Sequence, residues 1–141
     1  MKQLENYIHY YESLTPTTVA ELKALVTSDI HFRDPFNDVR SAEAMVRIMA
    51  KMFEDVINPK FKIIEQAING NIAFLKWQMN FLSKGRHGKA FAICGISEVR
   101  FAESGLVCEH LDYWDPAATL YEQIPVLGWV LRRLKSRLTA S

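Results

Sequence analysis

The spacing of apolar residues changes along this chain, and the change strongly constrains what the chain can fold into. Near the start, Leu4, Tyr7, Ile8, Tyr11 and Leu14 recur at helical intervals, which predicts an amphipathic helix. Beyond residue 60, apolar and polar residues alternate instead, which predicts strands. The sequence therefore places helices first and a sheet after them.

Two further helices and one strand are predicted before residue 60. The segment TPTTVAELKALV begins with Thr15 as an N-cap and Pro16 at the first helical position. The strand DIHFRD follows it. Ser41 is the predicted N-cap of the next helix, which ends before Asn58-Pro59.

The second half of the sequence predicts four consecutive strands. FKIIEQAI turns at Asn69-Gly70-Asn71 into IAFLKWQMNFL, the loop SKGRHGK leads to AFAICGISEVRF, and AESG turns into LVCEHLDYWD. Residues 116–141 form a partly helical tail, interrupted near Pro125. Helices set apart from an antiparallel sheet define an α+β fold, predicted as a single domain over residues 1–141. A curved sheet wrapped on the N-terminal helices would form a cone that encloses an apolar pocket for a small ligand.

Composition argues against several classes of function. With 17 Lys and Arg against 16 Asp and Glu, the net charge of +1 gives no general attraction to nucleic acid. No apolar run approaches the ~20 residues of a membrane span, and the first residues lack the apolar core of a signal peptide. Cys94 and Cys108 have no CxxC spacing and are expected to be reduced, so a cytoplasmic protein is predicted. His9, His31 and His87 show no metal-ligand spacing, and neither a metal nor a cofactor is expected.

The stretch HFRDPFND places Asp34 at the end of a predicted strand, directly before Pro35. One interpretation is a turn, because Asp-Pro pairs commonly begin turns and the carboxylate binds backbone N–H groups. The other is a carboxylate directed into the apolar pocket, where it would act as a general base. The residues alone leave both interpretations open.

The order of elements, with FRDPF after two helices and GISEVRFAESGLVCEHLDYWD near the end, resembles the nuclear transport factor 2-like superfamily. Within it, the sequence is most similar to the SnoaL-like branch, which includes polyketide cyclases and has ketosteroid isomerases and limonene epoxide hydrolases as relatives. The resemblance extends from the first helix to about Asp115 and implies the cone-shaped fold. Because the superfamily holds several enzymes and many non-enzymes, it does not imply a single reaction.

The ketosteroid isomerases offer three positions for comparison. Their general base is the aspartate of an Asp-Pro pair after the first strand, which corresponds here to Asp34. Their tyrosine donor on the first helix corresponds to Tyr10 by ungapped counting. Their second donor is a carboxylic acid kept protonated by apolar surroundings, and Ser97 stands at that position here. The resemblance thus implies a base and two hydroxyl donors, although serine donates more weakly than a neutral acid.

An aspartate of the cyclases and one of the epoxide hydrolases both correspond to Asp112. In SnoaL-like cyclases the acid–base aspartate lies on the last strand, and the motif EHLD places Asp112 there. An aspartate of the epoxide hydrolases also corresponds to Asp112, but their arginine and second acid fall near Trp77 and Met79. The resemblance therefore implies a catalytic Asp112 and argues against epoxide hydrolysis.

Several side chains are predicted to contact a bound ligand. Alternation along a strand places Trp77 and Met79 on one face, and it places His110 and Trp114 on the same face as Asp112. Most of these side chains would serve equally well as ordinary core. The complete predicted ligand-binding set is Trp77, Met79, His110, Trp114, Met49 and Phe91.

Two functions are predicted from these residues. The first is a cofactor-independent enzyme of isomerase or cyclase type, which moves a proton next to a carbonyl on a small apolar compound. Asp34 or Asp112 would be the acid/base, with Tyr10 and Ser97 polarising the oxygen. The alternative is a non-catalytic ligand-binding or interaction module of the same fold. In both cases a homodimer through the outer face of the sheet is expected.

The tail segment VLGWVLRRLKSRL is amphipathic and becomes basic toward its end, with no acid after Glu122. Such a segment suits a membrane surface or an acidic partner. A lid over the cone or a contact between subunits is the preferred interpretation, with the lysine and arginine side chains in solvent.

Overall fold

The computed structural model describes residues 1–84, 88–119 and 125–139.

Two helical segments come first in the structure. Helix α1 spans Lys2–Glu12, and a 3₁₀ helix spans Val19–Ala24. The prediction of an α-helix starting at Thr15 is wrong. The side-chain oxygens of Thr18 and Thr15 accept from each other's backbone N–H groups at 2.9 and 3.3 Å, and this turn replaces the first turn of a helix.

Strand β1 spans Val26–Arg33 and is followed by the short strand β2, Asp38–Val39, which the sequence did not predict. Helix α2 spans Ala42–Asp55. The predicted cap of this helix is confirmed, because Ser41 Oγ accepts a hydrogen bond from the backbone N–H of Ala44 at 3.1 Å.

The sheet is completed by four long strands, and their predicted consecutive antiparallel pairing is confirmed. The described residues form one six-stranded sheet in the order β2-β1-β6-β5-β4-β3, in which β1 runs parallel to β6. The pairing of β1 with β6 joins the helical half of the chain to the end of the meander. The four long strands are β3 (Val56–Asn69), β4 (Ile72–Ser83), β5 (Ala90–Phe101) and β6 (Val107–Tyr113).

The sheet curves around the helices. Its longest hairpin, β3 with β4, shifts register between Ile57 and Lys60 and again between Ile63 and Glu65. Bulges of this kind bend a strand and increase its twist. On the helix-facing side, the core joins side chains of α1, α2 and the strands, including Tyr7 and Met45. The predicted α+β fold, with a curved antiparallel sheet against N-terminal helices, is confirmed.

The described residues of the tail form two helices, α3 over Pro116–Thr119 and α4 over Pro125–Leu138. Pro125 stands at the first position of α4, where a missing N–H costs nothing. The predicted interruption near Pro125 falls partly on residues 120–124, which lie outside the described residues, as do His87 and its neighbours Gly85 and Arg86. Among the helices of the described chain, none is both long and apolar enough to cross a bilayer.

Candidate functional site

A cavity of about 440 Å³ opens between α2, the turn after β1 and the helix-facing side of the sheet. Aromatic rings supply much of its lining, and three carboxylates and one ammonium group reach it. This composition suits a mostly apolar ligand with a few polar contacts. The rings are those of Phe32, Phe36, Phe61, Trp77, Phe81 and Trp114, and the charged groups are those of Asp34, Asp55, Asp112 and Lys51.

A chain of hydrogen bonds connects the cavity to the core. Tyr7 Oη lies 2.7 Å from His110 Nδ1, and His110 Nε2 lies 2.7 Å from Asp112 Oδ1. Ser97 Oγ donates a short hydrogen bond to the same Asp112 oxygen and accepts one from Trp77 Nε1 at 2.8 Å. His110 and Ser97 are each 3% exposed, whereas 18% of the Asp112 side chain is exposed. Asp112 is therefore the member of the Tyr7–His110–Asp112 series that lines the cavity.

Strand register brings these side chains together. Ser97 on β5 pairs directly with Asp112 on β6, and directly paired side chains on one face of a sheet lie close together. His110 lies two residues before Asp112 and so shares its face. Helix α1 crosses this face and adds Tyr7, whose ring also packs against the His110 ring with centroids 5.7 Å apart.

The hydrogen-bonding roles in this network follow from the groups present. Burial raises the pKa of the Tyr7 hydroxyl well above its ordinary value of 10, so the hydroxyl remains a donor at neutral pH. Within the described residues, its hydrogen-bond acceptor of good geometry is His110 Nδ1. An imidazole that accepts at Nδ1 carries its proton on Nε2, which then donates to Asp112 Oδ1. Both ring nitrogens of His110 are then satisfied in one arrangement.

Among the residues of the site, Asp112 is best placed to exchange a proton with a ligand. Its Oδ1 accepts from both Ser97 and His110, and two such donors stabilise a carboxylate anion. Within the described residues, Oδ2 accepts no hydrogen bond and is the oxygen available to a ligand. A carboxylate with one oxygen fixed and the other free, at the wall of an apolar cavity, can accept and return a proton.

Asp34 lines the cavity and also closes its own turn. Its Oδ1 accepts from the backbone N–H groups of Phe36 and Asn37 at 2.8 and 2.7 Å. The Asn37 side-chain amide donates to Oδ1 and Oδ2 at 3.1 and 3.2 Å. Both interpretations of Asp34 thus have a structural basis, but its two oxygens are already bonded by the turn.

The two predicted hydroxyl donors are engaged elsewhere. Tyr10 is buried, and its hydroxyl donates to the carbonyl of Val19 at 2.8 Å, so it does not reach the cavity. Ser97 lies behind Asp112 and gives its proton to that carboxylate. The structure therefore brings Ser97 and Asp112 together but leaves Tyr10 apart from them.

Four of the six predicted ligand-binding residues line the cavity. Phe91 does not, because its ring stacks on Phe81 with centroids 5.4 Å apart, outside the lining. His110 does not either, because it lies between Tyr7 and Asp112. The four that line the cavity are Trp77, Met79, Trp114 and Met49.

Several residues of the candidate site were not predicted from the sequence. Tyr7 was assigned only to helix packing, although it bonds His110. Asn37 and Lys51 line the cavity and carry N–H groups that can donate to a bound oxygen. The hydrogen bond to Asp55 raises the pKa of Lys51, which keeps its ammonium charged. Phe81 continues the alternation of Trp77 and Met79, and that signal could have identified it.

The described part of the chain contains no group of three or more His, Cys, Asp or Glu side chains placed to hold a metal ion.

Comparison with known families and proteins gives two results. The family model described as "SnoaL-like domain" matches residues 7–110, which cover the second half of α1, the 3₁₀ helix, α2 and most of the sheet. Asp112 lies two residues beyond the matched range. Among curated proteins, no sequence matches this chain significantly.

Solved structures share the fold at low sequence identity. TsrD from Streptomyces laurentii is 17% identical with a TM-score of 0.65, over 81% of this chain and 86% of that one. A candidate SnoaL-like polyketide cyclase from Jannaschia sp. CCS1 is 13% identical with a TM-score of 0.70, over 82% of this chain and 87% of that one. The third is a hypothetical protein of ketosteroid isomerase-like fold from Catenulispora acidiphila, solved in complex with trimethylamine. It is 14% identical with a TM-score of 0.71, over 84% of this chain and 88% of that one. At these identities the likeness establishes the fold.

Proposed function

The chain belongs to the SnoaL-like domain family, and from that premise we propose a cofactor-independent acid–base catalyst of isomerase or cyclase type. Its substrate is a small, largely apolar carbonyl compound bound in the cavity beside Asp112. Asp112 is the acid/base, and His110 and Ser97 are positioning residues that fix its Oδ1. The observation that carries the proposal is the Asp112 carboxylate at the cavity wall, with one oxygen held by two donors and the other free.

The proton transfer is balanced within the substrate and Asp112. Asp112 Oδ2 takes a proton from the carbon next to the carbonyl, and the C–H electron pair moves toward the carbonyl oxygen to form an enolate. The protonated carboxyl then returns the proton to another carbon of the same skeleton. Asn37 Nδ2 and Lys51 Nζ, both at the cavity, are the N–H groups that would stabilise the enolate oxygen.

The test is hydrogen–deuterium exchange of 2-tetralone, a small aromatic ketone with acidic α-protons, followed by NMR in D₂O. Asp112→Asn should lower the protein-catalysed exchange rate by a factor of about 10²–10⁴, the usual contribution of general acid–base catalysis. Asp29→Asn is the matched control, because it removes an exposed carboxylate on β1 and should leave the rate unchanged. Exchange by Asp112→Asn at the native rate would exclude Asp112 as the base.

One observation favours a non-catalytic ligand-binding module as the second candidate. Both predicted hydroxyl donors are already committed, Ser97 to Asp112 and Tyr10 to Val19, so neither can stabilise an enolate. Thermal stabilisation by planar phenols separates the two candidates. Phenols that stabilise the native protein more than Lys51→Gln, which removes a proposed oxygen-binding ammonium group, would support a site that recognises enolate-like oxygen. Equal stabilisation of both, without exchange activity, would support the binding module.

We also infer that the protein forms a homodimer through the face of the sheet opposite the helices. The support is a group of exposed apolar side chains on the outward positions of β4, β5 and β6. The same surface on two copies can meet around a two-fold axis, which is the commonest symmetry of soluble oligomers. The side chains are those of Phe74, Leu82, Ile96 and Tyr113.

A further inference from the structure

The helix α4 presents an apolar stripe to solvent. Val130, Leu134 and Leu138 are spaced by four residues and so lie along one side of the helix. They are 40%, 51% and 84% exposed. No described residue of α4 lines the cavity, and α4 makes no extended contact with the other described helices and strands. The stripe is therefore not covered by the part of the fold that the structure describes.

Positive charge flanks this stripe on both sides. Arg133 and Arg137 each precede a stripe residue by one position, and Lys135 follows one, which places them about 100° to either side of it. Arg132 adds a fourth cation, and residues 125–139 contain no acid. Trp129 is also exposed, with the Arg133 guanidinium 5.6 Å from its ring centre.

We propose that α4 binds the surface of an anionic lipid bilayer, with the stripe of Val130, Leu134 and Leu138 inserted and the flanking cations on the head groups. A bilayer surface offers apolar chains directly beneath a plane of negative charge. A helix with an apolar stripe and cations at both edges matches that arrangement, because the long Lys and Arg side chains reach up to the phosphates. Exposed tryptophan, here Trp129, is also favoured at the interface between lipid head groups and water.

Other polyanions match the helix less well. A nucleic acid backbone would use the four cations but would leave the leucines in water. An acidic protein would need an apolar groove between its carboxylates on both sides of the stripe. With 14 residues and four cations, α4 suits a position along the surface instead of across the bilayer.

Co-sedimentation of the full chain with vesicles tests this proposal. The native protein should bind vesicles of phosphatidylcholine and phosphatidylglycerol in equal parts, and should remain in solution with phosphatidylcholine alone. Arg133→Gln/Arg137→Gln should weaken binding by about 25-fold, at roughly fivefold for each juxtamembrane cation. Leu134→Gln/Leu138→Gln should abolish it, because the inserted apolar area is lost.

A matched control variant and heparin, a polyanion without apolar chains, distinguish the outcomes. Lys60→Gln/Lys62→Gln removes the same charge from exposed positions of β3 and should bind vesicles as the native protein does. All three double variants change exposed side chains, and equal melting temperatures will verify that each is folded. Absence of binding to the mixed vesicles would overturn the proposal. Binding that survives Leu134→Gln/Leu138→Gln and is reproduced by heparin would assign α4 to a polyanionic partner and also overturn it.

Discussion

Gly95 shows how one residue position supports the candidate site. It pairs with Trp77 across β4 and β5, and a Cβ added to it would lie 2.5 and 2.8 Å from two atoms of the Trp77 ring. The same Cβ would lie 2.9 Å from the carbonyl oxygen of Tyr113. Only glycine therefore leaves room for the indole, whose N–H donates to Ser97 behind Asp112.

We expect Gly95→Ala to destabilise the protein by about 1–3 kcal/mol, the usual cost of overpacking a core. The indole must move, so the variant should also lose part of its exchange activity through the displaced Ser97 and Asp112. Denaturant unfolding and the 2-tetralone assay measure the two effects. Cys94→Ala, at the exposed neighbouring position, is the control and should change neither. An unchanged stability for Gly95→Ala would contradict the close approach to Trp77.

The catalytic candidates differ in how far the sequence could identify them. Alternation along one strand predicted a common face for His110, Asp112 and Trp114. The structure places His110 in contact with Asp112. The bond between Ser97 and Asp112 depends on the register of β5 against β6, which alternation does not specify. Ungapped counting selected Tyr10, but the hydroxyl that reaches His110 belongs to Tyr7, one turn earlier on the helix.

Helix α1 carries three of the chain's five tyrosines into the core. Burial raises the pKa of Tyr7, Tyr10 and Tyr11 above the ordinary value of 10. Above that pH the unfolded chain loses phenolic protons that the folded protein retains. Their contribution to stability is therefore complete below pH 10 and is lost as the pH rises toward the folded values. The helix should detach in a cooperative alkaline transition.

Tyr11→Phe tests this account, because the Tyr11 hydroxyl is buried and makes no hydrogen bond of good geometry with the described residues. The variant should be at least as stable as the native protein at neutral pH, since no bond is lost. Its alkaline midpoint should rise, because one of the three buried phenol groups of α1 is gone. Phenolate absorbance and circular dichroism should change together in both proteins. Tyr113→Phe, at an exposed position, should leave the midpoint unchanged, and a midpoint for Tyr11→Phe at or below the native one would contradict this explanation.

Elements were predicted well where one strong local signal decided them. Ser41 before an apolar face at helical spacing gave α2, and alternation with turn residues gave the four strands of the meander. The segment after Thr15 carries comparable helix signals, yet threonine side chains bond the backbone and leave a turn and a 3₁₀ helix. β2 has only two residues, too few for any period to appear.

At the scale of the whole molecule, the proposed homodimer depends on the outward face of the sheet. Ile96 is 46% exposed and pairs with Tyr113 on β6, near the middle of the inferred interface. Ile96→Lys should weaken the homodimer at least about tenfold, because it buries an unpaired charge in each copy. Light scattering over a dilution series measures the change. Ile68→Lys is the control, since Ile68 is equally exposed but pairs with Ala73, which faces the core. A native protein that is monomeric throughout would contradict the dimer.

The parallel pairing of β1 with β6 has a consequence for synthesis. Tyr7 and His110 are 103 positions apart, and β1 has its long-strand partner only in the last strand of the sheet. A ribosome that adds roughly 5–20 residues per second therefore takes about 5–20 s between making the two ends of that contact. During this interval the nascent helix α1 has its tyrosines in place but no β6 to pack on. A chaperone that shields α1 during this interval should raise the yield of folded protein, whereas a slow codon before β6 would lengthen the interval and should lower it.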